Sequence, residues 1–218
     1  MKEKIKQNLN ITLIIIFFGS LWGFLEVFLG EFLRINALTA DFFGRIMSVV
    51  GLILMIITRL IYKKRGHQLI MGIIAALFRL LYPLIECVPC SFTAIIVEAL
   101  IFEALFFNNS FIAFDKKRLL EISSFGVIIF HLTFSLSYLI NQIFFPLFSK
   151  AGLFFLDLAI IIPQTLAKSL FPALTGMIIF PFLILLKDFE IKKIKEIVFY
   201  PITGIFLISL WIIPAILF

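Results

Sequence analysis

Charge is scarce in this chain. Of its 218 residues, 15% are charged and 62% are hydrophobic, against roughly 25% and 45–50% in an ordinary soluble domain. That shortage excludes a soluble globular domain. Cysteine and histidine are scarcer still, two of each. A framework of several disulfides is therefore excluded, and a metal at the cysteine pair would lack further ligands, since only His67 and His131 exist and His67 is expected on the wrong side of the membrane. No phosphate loop, zinc-peptidase helix, nucleophile elbow, internal repeat or low-complexity segment occurs. No catalytic set and no cofactor are expected. A chain without an ATPase motif that moves a solute actively must use an ion gradient or borrow an ATPase.

Long apolar runs fill the chain instead. Several approach or exceed the ~20 residues that cross a bilayer as helix. We read residues 1–218 as one integral membrane domain, all-α and polytopic, with six to seven transmembrane helices. The spans expected are 11–32, 44–62, 67–85, 92–107, 122–145, 169–186 and 197–218. Residues 151–186 are too long for one straight span, since 36 residues of helix reach ~54 Å. Pro163-Gln164-Thr165 and Lys168 suggest a break there, with a short helix at or dipping into the outer interface over 152–162. Lys2, Lys4 and Lys6 before an apolar run resemble a signal peptide. No small-residue cleavage site follows before Glu26, so the first span is expected to be retained.

The net charge of +6 and pI near 9.4 would suit nucleic acid, but the distribution points elsewhere. Lys2, Lys4, Lys6, Arg59, Lys63, Lys64, Arg65, Lys116, Lys117, Arg118, Lys187, Lys192, Lys193 and Lys195 all fall on one side of the expected bilayer. Only Arg34, Arg45, Arg79, Lys150 and Lys168 remain. The positive-inside rule then places the N-terminus in the cytoplasm of a multi-pass cytoplasmic (inner) membrane protein and Phe218 outside. Membrane lipid is the expected surrounding, and nucleic acid is not a partner.

Residues 79–103 concentrate what chemistry the chain has. The stretch holds Arg79, Glu86, Glu98, Glu103 and both cysteines, and is read as two helix ends joined by an outer turn at Pro89. An ionisable side chain costs at least ~2.5–3.5 kcal/mol at a membrane helix centre, so each calls for a partner or a wet cavity. Gly19, Gly23, Glu26 and Gly30 are spaced 4, 3 and 4 and share one face of span 1. Counting about six residues from the outer end of each span puts Glu26, Arg79 and Glu98 at one depth, an ion-pair cluster or a ligand site. His131, Ser135, Tyr138 and Gln142 form a polar stripe on span 5, beside Asn141. The substrate-binding candidates are Trp22, Glu26, Arg79, Glu98, His131, Tyr138 and Gln142. Gly19 and Gly23 allow close approach of a helix, either an internal one or one of a separate subunit.

Cys87-Val-Pro-Cys90 is expected at the outer surface. Such a pair can form a structural disulfide, stay as two thiols, or cycle in thiol–disulfide exchange. Redox relays across membranes normally use a second cysteine pair, which this chain lacks.

Three stretches together resemble the substrate-binding S components of energy-coupling-factor transporters. They are Gly19-Ser-Leu-Trp-Gly-Phe-Leu-Glu-Val-Phe-Leu-Gly30, the run 66–83 with Gly72 and Ala75-Ala76, and Thr93-Ala-Ile-Ile-Val-Glu-Ala-Leu100. The resemblance implies a helical membrane protein that binds a vitamin-like solute or a metal from outside. It also implies a transmembrane coupling subunit and two cytoplasmic ATPases as partners, the former docked through Gly19 and Gly23. Members usually have six spans, against seven here. The function expected is solute binding for import, with an outward-facing site between spans 1, 3, 4 and 5. The alternatives are a membrane thiol–disulfide oxidoreductase using Cys87 and Cys90, and a non-catalytic assembly subunit. Topology is directly testable: a reporter fused after Lys117 should be cytoplasmic and one near Pro89 external. An internal Pro89 would overturn the orientation.

Overall fold

The computed structural model describes residues 2–34, 42–62, 65–83, 88–107, 118–149, 155–185 and 196–217. Among them lie α1 (Lys2–Arg34), α2 (Phe43–Tyr62), α3 (His67–Leu81), α4 (Val88–Leu105), α5 (Leu119–Ser149), α6 (Phe155–Lys168), α7 (Leu170–Ile184) and α8 (Glu196–Leu217). No strand occurs among the described residues. Among the described residues, five stretches are long and apolar enough to cross a membrane: Leu9–Gly30, Phe43–Tyr62, Leu119–Ile143, Leu158–Ile184 and Phe199–Leu217. The chain is an all-α polytopic membrane protein.

Boundaries depart from expectation where prolines sit. Pro89 lies inside the first turn of α4 rather than in the turn before it, a position where proline's missing N–H costs nothing. Its carbonyl accepts from Thr93 Oγ1 at 2.8 Å. α3 ends at Leu81, four residues short of Ile85. The helix over 155–168 runs straight through Pro163-Gln164-Thr165, so the break is not there. It falls at Ser169, beside Lys168 and at the expected start of the next span, between α6 and α7. Pro172 explains the position, because it removes the N–H that would bond the Lys168 carbonyl and crowds that carbonyl with its ring. Main-chain bonding continues on either side, with Ser169 N–H on Thr165 O at 2.9 Å and Ala173 N–H on Ser169 O at 3.0 Å. Leu158–Ile184 is accordingly one candidate span with a fault in it.

α2 is the central pillar. It touches α1, α3, α4, α5 and α7, while α1 packs on α3, α3 on α4, α4 on α5 and α5 on α7. Leu52, Met55, Ile56 and Leu60 of α2 are fully buried, beside Met71 and Ala75 of α3 and Ala99 and Phe102 of α4. α8 flanks α1 on the outside. Trp211 Nε1 donates to Ser20 Oγ at 3.1 Å and Tyr200 OH donates to Asn10 Oδ1. Ile205, Phe206, Ile208 and Ile216 of α8 are exposed, as suits a helix face against lipid chains.

Lipid tails are as apolar as leucine, so burial of apolar area does not hold membrane helices together. Close packing does, through residues small enough to let backbones meet. Five glycine positions show it. A Cβ on Gly19 would meet Ile74 Cβ at 2.9 Å and one on Gly23 would meet Phe78 Cβ at 2.4 Å. One on Gly72 would meet Ala99 Cβ at 2.3 Å. Gly126 and Gly176 are reciprocal: each would place its Cβ within 2.4 and 2.6 Å of the other's carbonyl oxygen. α5 and α7 thus touch backbone to backbone. Gly126→Ala should force the two helices apart and lower stability by about 1–3 kcal/mol, the usual cost of overpacking. Gly204→Ala, with nothing within 4 Å of the new methyl, should be neutral or slightly stabilising. Thermal unfolding in detergent checks the pair, and equal effects would contradict the crossing.

Candidate functional site

Arg79, Glu26 and Glu98 are all turned inward, with exposures of 1%, 6% and 7%. Arg79 stands in the last turn of α3, where a cation is favoured by the carbonyl end of the helix dipole. Its guanidinium reaches α1: a Cβ on Gly30 would stand 3.4 Å from Nη2 and 3.0 Å from the Phe43 ring. The charge of Arg79 bears on Glu26, one turn before Gly30. Glu26 Oε1 also accepts from Trp22 Nε1 at 3.3 Å. Glu98 lies beyond, feeling the charge of Glu26 and accepting from Ser48 Oγ on Oε1 at 2.6 Å.

The three charges come together, but not at one depth. Gly72 of α3 packs on Ala99 of α4, and Arg79 is seven residues further along α3. With α4 running the other way, the Glu98 Cα lies ~9 Å along the bundle from that of Arg79. The equal-depth count failed because α3 stops at Leu81 and α4 begins at Val88. The arrangement is a diagonal string, Arg79 to Glu26 to Glu98, anchored by Ser48. Sequence reading missed Ser48; its position one turn before Leu52 of the central helix was the available signal.

Trp22 is fully buried at the heart of this string. Its indole lies where a Cβ on Gly51 would stand, 2.5 Å from Cζ2, and 3.6 Å from the corresponding point on Gly72. Gly19 and Gly23 face α3 from the same helix. Their face is therefore an internal seam, already occupied, and the expectation that they dock a separate subunit is corrected.

The polar stripe of α5 belongs to another neighbourhood. His131 Nδ1 and Ser169 Oγ are 2.8 Å apart. Because Ser169 Oγ also donates to Leu166 O at 2.7 Å, the imidazole is the donor to it through Nδ1–H. Lys168 Nζ reaches Tyr138 OH at 3.5 Å and lies 5.5 Å from its ring centroid. Ser135 Oγ donates within its own helix to His131 O at 2.6 Å. Asn141 turns to α4, its side-chain amide 3.0 Å from Thr93 Oγ1. His131 and Tyr138 therefore pair across α5, α6 and α7, not with the Arg79 string. Gln142 is half-buried on the same helix. The charged site lies between α1, α2, α3 and α4, with α2 in the place expected of span 5. Cys87 lies outside the described residues, and only the backbone of Cys90 is described, at the start of α4.

A second ionic assembly closes the other end of the same four helices. Arg59 Nη1 pairs with Glu103 Oε1 at 3.1 Å, and Nη2 donates to Phe106 O at 2.7 Å. Gly66 N–H donates to Glu103 Oε1 at 2.7 Å from a left-handed backbone, φ +83°. Gln68, its amide assigned with the NH2 toward Glu103, donates to Oε2 at 2.9 Å. Both oxygens of Glu103 are thus satisfied, and the assembly ties α2, the turn after it, α3 and α4. It reads as a structural fastening. Among the described residues no group of three or more His, Cys, Asp or Glu is placed to hold a metal.

Nothing matches this chain among protein-family models, curated proteins or solved structures. The fold and the buried charges define it as a helical membrane protein with an intramembrane ion string.

Removing Arg79 should leave buried carboxylates without their cation, a change that costs ~3–5 kcal/mol for a broken buried pair. Arg79→Ala is expected to lower thermal stability accordingly, and Glu26→Gln to restore part of the loss. Rescue by Glu98→Gln instead would show that Arg79 answers to Glu98.

Proposed function

We propose that the protein is a membrane-embedded solute-binding subunit of an importer, with its site built on Glu26, Arg79, Glu98, Ser48 and Trp22. The observation that carries this reading is the string itself. Ionisable groups inside a bilayer are costly, and those that persist are functional-site candidates. The contrast within the molecule supports it. Arg59 and Glu103 form a closed assembly with every carboxylate oxygen bonded, as a structural pair requires. Glu98 is held by one neutral hydroxyl.

The N-terminus is cytoplasmic in this reading, because the basic loops are cytoplasmic. The Arg79 end of the four-helix group then faces outward, and the Arg59 end inward. The likeness to S components of energy-coupling-factor transporters adds a transmembrane coupling subunit and cytoplasmic ATPases as partners. Since α3 covers Gly19 and Gly23, such a subunit would dock on another face. A small vitamin-like metabolite is the substrate class that the likeness implies.

Native mass spectrometry of gently purified protein tests the reading by reporting co-purified solute and partner subunits together. A bound metabolite, lost in Arg79→Ala or Glu98→Gln, is the expected result. The Cys87→Ser/Cys90→Ser double variant should keep that metabolite. Loss of function in a well-folded double variant, together with quinone-dependent oxidation of a partner thiol by the parent, would replace transport with thiol–disulfide chemistry.

A further inference from the structure

The polar stripe of α5 takes no part in the Arg79 string, and a lysine stands against it. Lys168 closes α6, inside the apolar stretch Leu158–Ile184. Its Nζ donates to Tyr138 OH at 3.5 Å and lies 5.5 Å from the ring centroid. The phenol is a donor too, and its own hydrogen meets no acceptor among the described residues. Two donors therefore converge on one point without an acceptor.

No carboxylate among the described residues pairs with Lys168. Asp157 is eleven residues earlier on α6, ~16 Å of helix rise away, and Glu121 is seventeen before Tyr138 on α5, ~26 Å away. Glu26, Glu98 and Glu103 are bonded within the α1–α4 group. α2 brings a further cation rather than an acid, since Arg45 lies over the Phe42 ring, which meets Phe171 of α7 at 6.0 Å. This corner carries positive charge that no described acid answers.

Its depth and its flanks point to the occupant. α7 runs antiparallel to α5, because Gly176 meets Gly126 and Ser169 meets His131. Gln142, one turn after Tyr138, and Gln164, one turn before Lys168, therefore lie toward the same membrane surface. Neither amide has a hydrogen-bond partner among the described residues. Tyr138 is nineteen residues beyond Leu119, ~28 Å of helix rise, which matches the ~30 Å hydrocarbon core. The donor pair is thus at the level where chains give way to headgroups. Ile160, Leu166, Leu170 and Leu174 around it are exposed, a surface for acyl chains.

We propose that this corner binds the headgroup of an anionic phospholipid, its phosphate oxygens accepting from Lys168 and Tyr138. Gln142 and Gln164 serve the hydroxyls beyond the phosphate. One ammonium matches the single negative charge of a phosphodiester, whereas a zwitterionic lipid brings its own cation and gains less. The exposed apolar flanks favour a lipid over a soluble anion. In the orientation argued above the lipid belongs to the outer leaflet, and its site is independent of solute import.

Native mass spectrometry of the full chain in detergent, titrated with dioleoylphosphatidylglycerol or dioleoylphosphatidylcholine, tests the proposal. The first phosphatidylglycerol should bind about fivefold more tightly than phosphatidylcholine, the worth of one lysine near an anionic surface. Lys168→Gln should erase that margin, Tyr138→Phe should reduce it, and Lys168→Arg should keep it. Arg118→Gln, which removes an equal charge just before α5, should leave it unchanged. Lys168→Gln should unfold at the parent temperature without added lipid, and only the parent should gain stability from phosphatidylglycerol. Equal affinity for the two lipids, or equal losses in Lys168→Gln and Arg118→Gln, overturns the site. Should Lys168→Gln fail to fold, Tyr138→Phe decides, and an unchanged margin in it overturns the site as well. Displacement of the lipid by glycerol 1-phosphate, dependent on Lys168, assigns a soluble phosphate and overturns the lipid source.

Discussion

The indole of Trp22 against the bare backbone of Gly51 is the contact on which the interior depends. A tryptophan is the largest side chain, and only a residue without Cβ leaves room for it between two helices in van der Waals contact. The indole then fills the gap that Gly51 and Gly72 leave among α1, α2, α3 and α4. It also turns its N–H to Glu26. One side chain thus sets the distance between α1 and α2 and fixes the carboxylate that faces Arg79. Dispersion contacts are individually weak and fall off steeply with distance. A shift of half an ångström here would loosen packing and charge geometry together.

Around that contact the four helices carry charge at both ends and none between. Gln68 and Arg79 are eleven residues apart on α3, and Ser48 and Arg59 are eleven apart on α2, ~16 Å of helix rise in each case. Leu52, Met55, Met71 and Ala75 fill the space between with no exposed surface. The two ends differ in bonding. At Arg59 a carboxylate, an amide, a backbone N–H and a carbonyl enclose the guanidinium and its partner. At Arg79 the groups are strung along three helices and share their charges over longer distances. One end is thus fastened and the other loosely joined.

Much of this was legible in the sequence, for physical reasons that differ by residue. Hydropathy revealed the spans because a bilayer imposes length and apolarity on every crossing helix. Glu26, Arg79 and Glu98 stood out because charge inside such runs is rare. The depth of Glu98 was not legible: it depends on where α3 stops and which residue of α4 meets Gly72, and both are set by packing. The small faces of Gly19 and Gly23 were visible, but the helix that would cover them was not. Likewise His131 and Tyr138 read as a polar face, yet their partners Ser169 and Lys168 come from a helical run whose fault was expected over 163–168 and falls just after it. Two prolines nine residues apart offer two candidate breaks. Only the second, Pro172, takes the donor from the position where the helix yields.

The contact between the first and last helices has a consequence for biogenesis. Tyr200 and Asn10 are separated by 190 positions in the chain, and Trp211 and Ser20 by 191. At ~5–20 residues per second of synthesis, about 10–40 s pass between the emergence of Asn10 and that of its partner. Through that interval Asn10 and Ser20 must be shielded by something other than α8. A chaperone of the insertion machinery, a lipid headgroup or a neighbouring chain would each serve. The order in which ribosomes release this protein therefore exposes a polar seam on α1 that the finished molecule conceals.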